Sequence, residues 1–405
     1  MWLTLRTLWL ARLAQALSRS APRRRPAFRR PVFRPRLEAL EDRTVPAAIT
    51  ILGSDLVTSA GIPEVYSING ILSQATGDRS VNLGAGTYSV ANSGGTYGTF
   101  TVSSQDTVAG TTGALVATGN TIDFDLTQLA AVTASPLFTA GGRPETMWIS
   151  NVVGLAPGTS DTAYLPAGTY DLFNGANGLP SFGSFTVSPQ FTISGTSGAL
   201  VATGNTIGFD LSQLAAVTVS PLFTAGGHPE TMWIDNIVGL PPGTIDTAYL
   251  PAGTFYLFDG INAPPSYGSF TVSDQLTISG TSGALVATGN SISFNDCALN
   301  HVTITPNPGV GWAVFAVAGF SAVTDTVLIP DGTWTIYFSG ATGGAGPATF
   351  SVGPNGLSDT ELPVSAPLVS LQLTPCAPAL TSAARVSSGT TISGTYMGRA
   401  STTYR

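Results

Sequence analysis

A stretch of 85 residues that occurs twice in succession restricts this chain more than any other feature. Residues 111–195 match residues 196–280 at 67 of 85 positions. The segment TTGALVATGNTIDFDLTQLAAVT, from Thr111, returns as TSGALVATGNTIGFDLSQLAAVT from Thr196, and TSGALVATGN opens again at Thr281. Self-similarity at a fixed period marks a repeat architecture, in which one small unit is copied along the chain. Such close identity also points to recent duplication, with little pressure on each copy to acquire separate chemistry.

The chain ends set the phase of the repeat. The first copy begins AITILGSDLVTSAGIPEVY, which aligns with QLAAVTASPLFTAGGRPETMW, part way through the visible repeat. Each unit then starts near LxQLAAVT and ends at an NTIxFD segment. In the last copy, SLQLTP falls at the offset expected of that closing segment. The expected units are 46–125, 126–210, 211–295 and 296–375, after an N-terminal segment 1–45 and before a tail 376–405. The junctions carry no long Ser/Pro linker, which predicts a semi-rigid array rather than loose beads.

Within one unit the apolar runs are short and rich in Val, Ile, Thr, Phe and Tyr. In the second they read LAAVTAS, ETMWISNVV, TAYLP, GTYDLF, GSFTVS, FTISG with GALVATG, and NTIGFD. Turn signals such as Pro157-Gly158, Asn174-Gly175 and Gly204-Asn205 separate them. With 43% hydrophobic and 10% charged residues the chain should fold. The expectation is all-β: four tandem Ig-like β-sandwich repeats after a disordered or helical Arg-rich N-terminal segment. The LPAGTY…FTV phrase resembles Ig-like and prealbumin-like extracellular modules over about 30 residues per unit.

Trp148, Trp233 and Trp312 fall at one aligned position, with Tyr66 assigned there in the first unit. A large aromatic on an early strand reads as core. The alternative is a sugar-stacking aromatic, in which case Trp148 and Trp233, or loop aromatics such as Phe182 and Tyr267, would share an exposed face.

Charge is split along the chain. Eleven of the 16 Arg lie in the first 45 residues against three acids, a net of +8, and the Lys-free remainder carries five Arg and 20 acids, a net of −15. The acidic body argues against nucleic-acid binding, which needs a basic face. No run of 18 apolar residues exists, so no membrane span is expected. The basic head contains Leu37-Glu38-Ala39-Leu40-Glu41-Asp42-Arg43-Thr44-Val45-Pro46-Ala47. This block resembles the LExLExRxxPA signature that ends the N-terminal sorting region of planctomycete-type secreted surface repeat proteins. The resemblance covers about the first 47 residues and implies export, an extracellular or cell-surface location, and processing near Pro46 and Ala47. A nucleic-acid patch or an organelle transit peptide is the other reading of a basic start, and neither accounts for LEALEDRTVPA.

Catalytic patterns are sparse. The two histidines, His228 and His301, sit at non-equivalent positions, and Arg143 replaces His228 in the neighbouring copy. The glycines of Gly340–Gly346 lack the Lys of a phosphate loop. Asp123-x-Asp125 could contribute to a Ca²⁺ site, but the next copies have Gly208 with Asp210 and Ser293 with Asn295. Asp161, Asp246 and Asp325 occupy one aligned position, where Arg79 stands in the first unit, and read as turn caps. Glu64, Glu145 and Glu230, each after a proline, read as turn or strand-edge groups. Cys297 and Cys376 would lie at opposite poles of a sandwich, which favours two free or intermolecular thiols over an intrachain bridge. No cofactor, metal or catalytic residue is expected. The expected function is a non-enzymatic secreted or cell-surface structural or adhesive protein, or else a carbohydrate- or cell-wall-binding array. Surface glycans or other cell-envelope proteins are the expected partners.

Overall fold

The computed structural model describes residues 46–374 apart from 176–179, 236, 260–264, 307–310, 315–319, 322–323, 340–347, 354–355 and 362–368. Met1–Thr44 separates from Val45–Arg405 as a unit of its own. It lies outside the described residues, as do most of LEALEDRTVPA, Cys376 and the tail.

The protein is all-β, and its described body is a series of repeated β-sandwiches. In the second, the four-stranded sheet runs Asp161–Leu165, Ala130–Ala134, Thr206–Phe209, Leu200–Thr203. The facing five-stranded sheet runs Val153–Gly154, Met147–Ile149, Gly168–Asn174, Ser181–Val187, Ile193–Thr196. The first and third repeats use the same two orders. Strict alternation of buried and outward residues in Ala130–Ala134 and Asp161–Leu165, and alternation broken once at Gly183-Ser184 in Ser181–Val187, supplies the inner faces. Each of the three repeats has its own apolar core.

Local chemistry fixes the turns. Asn205, in the Gly-Asn turn read from the sequence, accepts from Ile193 N and donates to Phe191 O, and Asn120 and Asn290 make the same pair of bonds in their own repeats. Asp125, Asp210 and Asn295 each accept a backbone N–H at the start of a single 3₁₀ turn that leads into the next opening strand. This gives Asp125 of the Asp123-x-Asp125 pair a structural role.

The segment ETMWISNVV is two strands rather than one. The chain reverses at Ser150, whose φ is +41°, and Asp235 repeats the reversal at +43°. The aromatic alignment also needs correction. Tyr66 occupies the position equivalent to Met147 and Met232, all facing the core, while Ser67 shares the outward position of Trp148 and Trp233. Tyr66 is core, as expected, but a one-residue slip in the alignment matches it with the outward Trp148 and Trp233.

The fourth repeat departs from the others at its closing strand. In the first three, the closing strand lies parallel to the opening strand. Val369–Thr374 instead runs antiparallel to Asn300–Pro306, with Thr374 opposite His301. This register brings the end of the unit back beside its start. Cys297 is disulfide-bonded, and Cys376 is the only other cysteine in the chain, so the expectation of separate thiols is overturned.

Candidate functional site

The residues that the sequence singles out most often meet where one repeat joins the next. The strands Asp161–Leu165, Asp246–Leu250 and Asp325–Ile329 each receive a loop from the preceding repeat, TSAGIPE, TAGGRPE or TAGGHPE. Their first residue is a buried Asp. Asp246 accepts from Thr139 Oγ1 (2.7 Å) and from Gly141 N (2.6 Å) across the junction. Asp325 accepts from Thr224 Oγ1 and from Gly226 N (2.7 Å). Asp161 accepts from Ser59 Oγ (2.9 Å) and from Ala60 N (3.0 Å). A Cβ on Gly141 or Gly226 would come within 2.7 Å of a carboxylate oxygen, so glycine permits the closest approach and Ala60 stands slightly further off. Backbone bonds from Ser59, Ala140 and Ala225 N to Thr162, Thr247 and Thr326 O extend each contact. Burial alone would raise the Asp161 carboxyl, but hydrogen bonds from Ala156 N, Ser59, Thr58 and Ala60 N together hold it below the usual value.

Three residues further along the same strands, Tyr164, Tyr249 and Leu328 pack against the preceding repeat's core. Their backbone N–H groups donate to Glu64, Glu145 and Glu230 of that repeat, at 2.7, 3.3 and 3.4 Å. Each Glu is fully buried. Behind it lies a second pair of residues: half-buried Asn92 with buried Tyr97, buried Asn174 with Phe182, or buried Asp259 with Tyr267. Tyr267 donates its hydroxyl to Glu230 Oε2. Tyr97 reaches Glu64 Oε2 at 3.5 Å and receives a bond from Asn92 Nδ2 at 3.0 Å. Phe182 has no hydroxyl, and Glu145 Oε2 and both amide atoms of Asn174 are left buried without a hydrogen-bond partner. Both Asp259 oxygens are likewise unpartnered. Desolvation pushes Glu64 and Glu145 up to about 8 and Glu230 up to about 7, against opposing hydrogen bonds. Burial, reinforced by Glu230, raises Asp259 well above the carboxylate range.

A third contact completes the junction. Gly95 bridges to Gly168 of the next repeat. A Cβ on Gly253 or Gly332, both at positive φ, would strike Pro180 or Pro265 of the repeat before it.

The structure moves several expected site residues. Trp148 and Trp233 are half-buried on the outer face of the five-stranded sheets, not in the core. Trp233 covers Gly239, lies in register with Phe258, and Phe258 stacks with the exposed Tyr256 at 6.0 Å. Phe182 and Tyr267 are strand residues buried to 1% and 0% exposure, so neither joins an outer aromatic face. Pro46 is exposed, and Ala47 is buried as the first residue of the strand Ala47–Ile51. His228 faces Asp325 at 3.9 Å. Asp161, Asp246 and Asp325 tie repeats together as well as capping their own strand. The Glu of each Pro-Glu pair is a junction group rather than a strand-edge group. The alignment of these acids was visible in the sequence, but their partners lie about 100 residues away.

Among the described residues, no group of three or more His, Cys, Asp or Glu could hold a metal ion, and no helix is long and apolar enough to cross a membrane. No family model, curated protein or solved structure matches the chain.

Proposed function

We propose that the chain is a non-enzymatic, exported cell-surface protein, a structural or adhesive array whose repeated outer faces contact surface glycans or other cell-envelope proteins. The observation that carries this reading is the use made of the aligned acids. Asp161, Asp246 and Asp325, with Glu64, Glu145 and Glu230, bind the neighbouring repeat instead of converging on a cleft. Repetition then supplies multivalency, in which weak contacts sum into avidity. The Arg-rich head and its resemblance to the LExLExRxxPA segment support export, with processing near Pro46 and Ala47. Fractionation of the producing cell with N-terminal sequencing tests this reading. A mature N-terminus at Ala47 or Ala48 outside the cytoplasm supports it, and a cytoplasmic chain retaining Met1 overturns it.

Carbohydrate or cell-wall binding is the second reading, favoured by the outward position of Trp148 and Trp233. Flat aromatic rings on an open sheet face suit the apolar faces of sugar rings. The double variant Trp148→Ala/Trp233→Ala would then lose retention on cell-wall polysaccharide while keeping its thermal midpoint. Retention equal to the parent would assign those rings to packing alone.

A further inference from the structure

We propose that the junctions between repeats are proton-dependent clasps, in which buried carboxyls at each seam carry a proton, so that the array is held tightest in acid and loosens as the medium turns alkaline. Each junction Glu is fully buried, and each holds the next repeat through the N–H of Tyr164, Tyr249 or Leu328. One backbone N–H with at most one phenol is thin solvation for a buried anion.

The groups around each carboxyl are acids, phenols and amides. Glu64 faces Tyr97 and Asp161, with Asn92 and Tyr170 beside them. Glu145 faces Asn174 and Asp246, while Arg143, two residues before it, is exposed. Glu230 faces Tyr267, Asp259 and Asp325, and the imidazole of His228 lies towards Asp325. The third junction is the most demanding. Glu230 and Asp259 are two buried carboxyls around one phenol, and Asp259 has no donor to either oxygen. Two carboxylates in such a place cannot both be ionised, and a proton on one makes it a donor where donors are lacking.

The direction of the effect follows from linkage. The folded chain keeps its junction protons up to about 7 or 8, whereas an unfolded Glu releases its proton near 4.5. Between those values the folded state binds more protons than the unfolded one, so stability falls as pH rises. Full stability from these groups is present below the unfolded value and is lost as pH passes through the folded one.

The test is the thermal midpoint of the full-length protein from pH 5 to pH 9, read beside the infrared carbonyl stretch of protonated carboxyls. The midpoint should fall by roughly 5 °C or more over that range. A protonated-carboxyl band should persist at pH 6.5, where exposed acids have lost theirs. In Glu230→Gln/Asp259→Asn the fall should shrink and part of the band should vanish. A His228→Gln background separates the imidazole from the carboxyls. A flat or rising midpoint, or no band at pH 6.5 in the parent, overturns the proposal. If the double variant does not fold, the infrared band of the parent decides alone.

Discussion

The second and third repeats are close copies, yet their junction clusters are satisfied in opposite ways. The third has Tyr267, whose hydroxyl donates to Glu230, and it leaves Asp259 without a partner. The second has Phe182 and Asn174 at those positions, and Glu145 Oε2 and the Asn174 amide are orphaned instead. The same backbone therefore tolerates either a missing hydroxyl or a surplus carboxyl. The seam is held by the Asp clasp and the aromatic or apolar plug, and the Glu cluster tunes its strength. Unpaired buried polar atoms cost about 1–3 kcal/mol each, so small substitutions at these sites should be measurable.

Tyr267→Phe should have the largest effect, because it imposes the second repeat's deficit on a cluster with two carboxyls. A loss of about 2–3 kcal/mol is expected by denaturant titration, and a loss below about 0.5 would mean the hydroxyl bond contributes little. Phe182→Tyr runs the comparison backwards. It should gain about 1–2 kcal/mol by supplying a donor to Glu145 in a site that two sister repeats already fill with tyrosine. Asp259→Asn should gain about 1 kcal/mol at pH 8 and less at pH 5, since holding a proton on the buried acid costs more the further the pH lies above the unfolded value; equal gains at both pH values would argue against a retained proton. Glu145→Gln should change stability least, within about 1 kcal/mol at pH 5, because the amide still accepts from Tyr249 N and can donate towards Asn174. Its stability should decline less than the parent's between pH 5 and pH 9.

Much of the fold can be read from the sequence because the signals are local. The 85-residue period shows on direct comparison of the copies, and the alternation in AAVTA and DTAYL and the Gly-Asn turns each act within a few residues. The faces of short strands are harder. In Met147-Trp148-Ile149 a three-residue strand offers apolar side chains on both sides, so nothing local says that Trp148 points outward. The junction groups fail for a different reason. Glu64 and Asp161 are aligned across repeats, but they act on Tyr164 and Ser59, about 100 residues away and in different copies. A sequence read one repeat at a time assigns such acids to turns. The Cys297 bridge was missed because it depends on the direction of one closing strand, which sequence pattern does not encode.

The first repeat's strand Arg79–Leu83 is the equivalent of the later acceptor strands but lacks their junction residues. Arg79 stands where every later repeat begins with the clasping Asp, and Asn82 where they present Tyr164, Tyr249 or Leu328; both are exposed. The loop of another molecule, arriving as a preceding repeat would, finds no carboxylate for its hydroxyl and no side chain to seat in its core. Head-to-tail contacts of this kind do not close on themselves, and identical ends would allow open-ended fibre growth. Two exposed side chains on one edge strand thus leave the first repeat without the clasp and the plug that the later repeats present to their neighbours.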